Sequence, residues 1–139
     1  MLNKVLNLDD KSSKRRACIL EAVTLALSEV EYHQLTVEDV AARAGVGKST
    51  IYRWWKHKSD LVLDAYKELT LSILQFEEQQ SLENNLIQQL MRLALALNHP
   101  VGRAMLVVIA NHRELAADFF KQYLLPRRVQ LHALIQQAI

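Results

Sequence analysis

The segment from Thr36 to Lys58, TVEDVAARAGVGKSTIYRWWKHK, limits the fold more than any other part of the chain. Thr36 offers an N-cap hydroxyl, and Asp39 stands three residues on, in the place of the Glu or Gln of a capping box. A short helix over about Val37 to Ala44 would turn Val37, Val40, Ala41 and Ala44 to one side. Gly45 ends it, because glycine best adopts the left-handed conformation that closes a helix. Val46 is an apolar plug in the turn. A second short helix, from Gly47 or Lys48 to Trp55, buries Ile51 and Trp55, four apart. It leaves Lys48, Ser49, Thr50, Tyr52, Arg53 and Trp54 on the outer surfaces. Such a corner needs helices in front of it and behind it to fix its angle.

The rest of the chain supplies them. With three glycines and two prolines in 139 residues, and no alternating run of Val, Ile and Thr, the strand signal is nearly absent. Residues 1 to 10 have no clear period and are expected as a flexible arm. From Ser12 to Val30, the apolar residues Ile19, Val23, Ala26, Leu27 and Val30 share one helical face, with Ser12 or Ser13 as N-cap. Its first turns carry Lys14, Arg15 and Arg16, where the helix dipole prefers acids, so this end is expected to face phosphates. Ser59 opens a fourth helix that runs through Leu61, Ala65, Leu69, Ser72, Ile73 and Phe76 to about Gln79. Lys58 precedes that N-terminus, a place for a cation only if an anion shares it.

Ser81 caps a fifth helix reaching Leu97, apolar over so much of its circumference that burial by several neighbours is expected. Asn98, His99 and Pro100 break it. Val101 to Ala110 form a sixth, and a seventh starts near Glu114, to be kinked or divided by Pro126. The apolar stripe is still running at Ile139, so either the natural protein continues or this is a shortened product. The expected class is all-α: a three-helix helix-turn-helix unit over residues 1–60, joined by the long fourth helix to a helical regulatory unit over 61–139.

Charge narrows the partners. Residues 1–60 carry ten Lys/Arg against eight Asp/Glu, and 61–139 carry seven of each. Lys11 to Leu20 and Val40 to Ser59 together hold nine basic residues and no acid, which suggests an anionic polymer as partner. No uninterrupted apolar stretch approaches the roughly 18 residues that span a bilayer, and no apolar h-region opens the chain, so a cytoplasmic protein without a membrane partner is expected. Cys18 reads as a small buried hydrophobe. GVGKST imitates the end of a phosphate-binding loop, but position 42 is Ala and a helix, not a strand, precedes it. His33, His57, His99, His112 and His132 lack partners at ligand spacing, so neither a metal, a cofactor nor an enzyme is expected.

An α-helix fits B-form DNA in the major groove, where each base pair shows its own donors, acceptors and methyls. Lys48 can donate to guanine, and Thr50 can offer a hydroxyl or a methyl. Thr36, Tyr52 and Lys58 suit phosphate oxygens, which position a protein without reading sequence.

The run T-V-x-D-V-A-x-x-A-G-V-x-K-x-T-I-Y-x-x-[aromatic]-x-x-K-x-x-L resembles the DNA-binding region of TetR/AcrR-type bacterial transcriptional regulators, over roughly residues 12 to 66. The resemblance implies that Lys48, Ser49 and Thr50 face bases, that Tyr52, Trp54 and Lys58 face the backbone, and that Arg53 faces either. It implies a homodimer on a pseudo-palindromic operator, repressing until a small ligand in the second unit separates the reading heads. The chain departs from the family at Trp54, bulkier than the usual occupant, and in stopping before the two helices that normally build the dimer interface. A cavity for a hydrophobic or cationic effector would be lined by Phe76, Met91, Leu95, Met105, Val108, His112, Phe119, Phe120 and Tyr123. The competing reading is a helical protein-interaction module that uses the apolar sixth helix.

Overall fold

A computed structural model describes the backbone of residues 2–139 and the side chains from Asp10 onward, Ser72 excepted. Among these residues every regular element is helical. The long α1 (Leu2–Glu29) is followed by a 3₁₀ turn at Tyr32–Gln34, then α2 (Val37–Ala44), α3 (Lys48–Trp54) and α4 (Lys58–Ile73). After a loop come α5 (Leu82–Asn98), α6 (Pro100–Asn111) and α7 (Arg113–Phe119). A five-residue π-helical segment, Phe120–Leu124, leads into α8 (Leu125–Ala138).

The expected arm is instead helical, continuous with α1. No glycine or proline precedes Gly45, so nothing in the chain stops the helix from extending backward past Ser12. Ser12 and Ser13 are therefore interior residues and not caps. Cys18 is exposed, not buried: it stands one position before Ile19, the first buried side chain of α1 among the described residues.

One apolar cluster runs through both halves of the chain. Ile19, Val23 and Ala26 of α1 meet Val40 of α2, Ile51 of α3, Leu61, Val62 and Tyr66 of α4, and Val101, Met105 and Val108 of α6. In α4, Leu61, Val62, Leu63, Ala65 and Tyr66 are all buried, so its first two turns are covered nearly all round. Helix α6 lies against both α1 and α4 and couples the corner to the second half.

Helix α4 ends at Ile73, short of the expected Gln79. Its last carbonyls are taken by distant side chains: Arg92 Nη1 donates to Ile73 O at 3.2 Å and Arg127 Nη1 to Leu74 O at 3.4 Å. The buried Asn85 then holds the loop, accepting from Glu77 N at 3.1 Å and donating to Glu77 O at 2.9 Å. His99 ends α5 and caps α6, its Nδ1 accepting from Val101 N at 3.1 Å, with Pro100 at the first helical position. The two helices bend 78° there. Pro126 divides the last helix as expected, the π-helical segment relieving the clash of its ring with the preceding turn.

Helix α5 departs most from expectation. Only Asn85 and Ala96 along it are buried, while Leu90 is 68% exposed and Leu95 70% exposed. Its wide apolar face is turned outward, and α6 and the α8 side cover only part of the circumference. Among the described residues no single helix is long and apolar enough to cross a membrane.

Candidate nucleic-acid interface

The corner forms where its local signals place it. Thr36 is extended and its Oγ1 accepts from Asp39 N at 3.1 Å, capping α2. Gly45 has φ 68° and ψ 31°, the left-handed conformation, and its N–H closes onto Ala41 and Ala42 carbonyls. Val46 packs partly buried against the core. Ile51 and Trp55 are buried, and the Trp55 indole Nε1 donates to Asp64 Oδ2 of α4 at 2.8 Å. That bond and the capped α2 fix the tilt of α3 from both ends.

The outer face of α3 is exposed. Lys48, Ser49, Tyr52, Arg53 and Trp54 are exposed, and Thr50 is half-buried. Trp54 stands edge-on to Trp55, centroids 5.7 Å apart, so the buried ring orients the exposed one. Thr36 and Tyr52 line one open cleft, about 930 Å³, with Glu38, Lys56, His57 and Lys58. Its far wall is the α6–α7 junction, including His112 and Arg113.

Several cations are engaged within the chain. Lys48 Nζ donates to Glu38 Oε1 at 3.0 Å across the corner. The Glu38 carboxyl is held below its ordinary value, first by its own backbone N–H and then by Lys48, while the Lys48 ammonium is raised by Glu38. Arg43 bridges Glu29 of α1 and Asp39 of α2, the latter at 3.1 Å, and this hydrogen bonding lowers the Glu29 carboxyl.

Two expected phosphate ligands are placed otherwise. Arg16 lies over the Trp55 ring at 5.6 Å and pairs with Asp64 at 3.2 Å, so it braces α3 from behind. Lys58 is the first residue of α4, and its ammonium donates to the carbonyls of Tyr32 at 3.0 Å, His33 at 3.4 Å and Leu35 at 3.1 Å. Three protons meet three acceptors, so the cation is satisfied without an anion. The sequence reading missed this because the partners lie more than 20 residues away and are backbone. Lys14 pairs with Asp10 at 3.2 Å on the surface of α1, and Arg15 is exposed. Neither sits at a helix end, so the dipole argument for this basic run does not apply.

The nine residues expected around an effector cavity are only partly brought together. Met105, Val108 and Phe119 are core, Phe76 and Tyr123 are half-buried, and Met91, Leu95, His112 and Phe120 are exposed. The outward turn of α5 separates Met91 and Leu95 from the others. In place of a cavity, Tyr66, Phe119 and Tyr123 pack ring against ring, with Arg127 over Tyr123 at 4.6 Å and Tyr123 hydrogen-bonded to Thr70. Burial pushes the Tyr66 phenol up to about 12.

The family model described as "Bacterial regulatory proteins, tetR family" matches residues 19–65, the segment from Ile19 of α1 to the covered turns of α4. The HTH-type transcriptional regulator Mb1581 of Mycobacterium bovis is 35% identical over 127 residues, 86% of this chain and 61% of that protein. The HTH-type transcriptional regulator YdeS of Bacillus subtilis is 27% identical over 124 residues, 87% of this chain and 63% of the relative. A fatty acid metabolism regulator protein of B. subtilis is 38% identical over 50 residues, 36% of this chain and 26% of that protein. The chain thus spans about three fifths of the length of the first two curated relatives. A capped α2, a left-handed Gly45 and an α3 with its polar face outward are what this chain builds from the segment that matches the tetR family model.

Proposed function

We propose that the chain is a sequence-specific DNA-binding transcriptional regulator whose α3 enters the major groove. The observation that carries this reading is the exposed row Lys48, Ser49, Tyr52 and Arg53 on a helix whose opposite side is locked by Ile51 and Trp55. Lys48, Ser49, Thr50 and Arg53 are the base-facing side chains, and Thr36, Tyr52 and Trp54 flank them as backbone contacts. Lys14 and Arg15 remain candidates for phosphates, whereas Arg16 and Lys58 act from within the protein. The family relationship supports a repressor that works as a homodimer, since one head reads only a half-site. Release by a small effector belongs to the same reading, and one open space that could take it is the cleft between the corner and the α6–α7 junction.

The competing reading as a protein-interaction module through α6 has less to stand on. Val101, Ala104, Met105 and Val108 of α6 are buried in the common core, which leaves Leu106 and Val107 as its large apolar side chains in the open.

A gel-shift assay with heparin competition and a salt series tests the proposal. Affinity should fall steeply with salt, and Lys48→Ala or Tyr52→Ala should weaken binding by about tenfold or more, as loss of a good base or phosphate contact does. Salt-independent binding, or both variants behaving like the wild type, would refute it.

A further inference from the structure

Glu38 has no part in the assignments above, yet it sits among the residues that do. Its carboxylate accepts from Lys48 at 3.0 Å, and it shares a cleft with Thr36 and Tyr52. Both partners of the pair are well exposed, Lys48 at 52% and Glu38 at 61% of the side chain. A carboxylate on a face that meets a polyanion weakens binding to every sequence alike unless it does something else there. What it does here is restrain a lysine. A free lysine is a point charge on a flexible four-carbon stem, able to find any phosphate within reach. An exposed ion pair is weak and screened by salt, so it biases the ammonium without locking it.

We propose that Glu38 is a specificity-determining, positioning residue that holds Lys48 off the phosphates and toward the base edges, penalising non-specific binding more than binding to the cognate site. The proposal rests on α3 being the recognition helix. In a non-specific complex Lys48 must leave Glu38 to reach a phosphate, and an unpaired carboxylate is left beside the DNA backbone. In the cognate complex Lys48 reads a base while Glu38 stays beside it, so the negative charge is never stranded.

The test is fluorescence anisotropy of the full chain on two labelled duplexes, across a salt series. One duplex is a site enriched from a random library by the wild-type chain, and the other is a scramble of equal length and composition. Glu38→Gln should bind the scrambled duplex about two- to fivefold more tightly, the range an exposed ion pair can supply. Its salt slope on that duplex should steepen by about 0.9, the increment for one added phosphate contact. The enriched site should change less, so the ratio of the two affinities falls. In a Lys48→Ala background the same substitution should leave the slope unchanged, and Glu38→Ala, with unaltered melting, should repeat the effect of Glu38→Gln. Equal tightening on both duplexes, which loss of one surface charge alone would produce, overturns the proposal, as does an unchanged ratio. If Lys48→Ala itself leaves both affinities and slopes at wild-type values, the recognition-helix reading fails. If Lys48→Ala weakens binding while the Glu38 variants leave the ratio alone, only the role of Glu38 fails.

Discussion

Trp54 and Trp55 are neighbours in sequence with opposite fates. Trp55 is 4% exposed, and its indole N–H meets the Asp64 carboxylate, which also receives Arg16. Trp54 faces outward from α3. Trp55→Phe keeps most of the apolar volume but removes the donor to a charged acceptor. Urea denaturation should therefore show a loss of about 1.5–3 kcal/mol, whereas Trp54→Phe should stay within about 0.5 kcal/mol. A Trp55→Phe variant as stable as the wild type would mean that the bond to Asp64 does not brace α3. The inward position of Ile51 and Trp55 was legible because a spacing of four defines one helical face. The fates of Arg16 and Lys58 were not, because a basic side chain looks the same in sequence whether it awaits a phosphate or answers a distant carboxylate or carbonyl.

At the scale of elements, Gly45 and Gly102 constrain the chain for different reasons. Gly45 is left-handed, but a Cβ there would meet nothing within 4 Å, so Gly45→Ala carries only the conformational penalty of about 1–2 kcal/mol. At Gly102, in the first turn of α6, a Cβ would lie 1.9 Å from the Ala96 carbonyl oxygen of α5. Backbone cannot yield as a side-chain tip does, so Gly102→Ala should be the more destabilising of the two, with the lower melting temperature in a thermal scan. The reverse order would show that the bend between α5 and α6 opens easily. This contrast follows how elements could be read from the sequence. Helix α2 carries its own cap and turn residue, both α2 and α3 carry an inner face, and both form within a residue of the expected bounds. The end of α4 depends on Arg92, Arg127 and Asn85, none of which announces its acceptor locally. The exposure of α5 was illegible for a related reason: an apolar stripe reports what a helix could bury, not which neighbour stands opposite it.

For the molecule as a whole, the outward face of α5 is the most unusual surface, carrying Ile87, Leu90, Met91 and Leu95 in the open. Contiguous apolar area of this kind favours association. The chain should bind a hydrophobic dye such as ANS in its folded state, and light scattering should give a mass that rises with concentration. Leu90→Glu combined with Leu95→Glu should lower both signals without lowering the melting temperature, since neither side chain is core. A dye-silent wild type of constant monomer mass would sink that expectation. The join between the halves has a mechanical side as well. Because the Lys58 ammonium is held by the carbonyls of Tyr32, His33 and Leu35, the first turn of α4 and the strap that feeds Thr36 behave as one stirrup. A tilt of α4 at that end therefore pulls on the root of α2, and a displacement arriving from α6 is passed on to the α2–α3 corner.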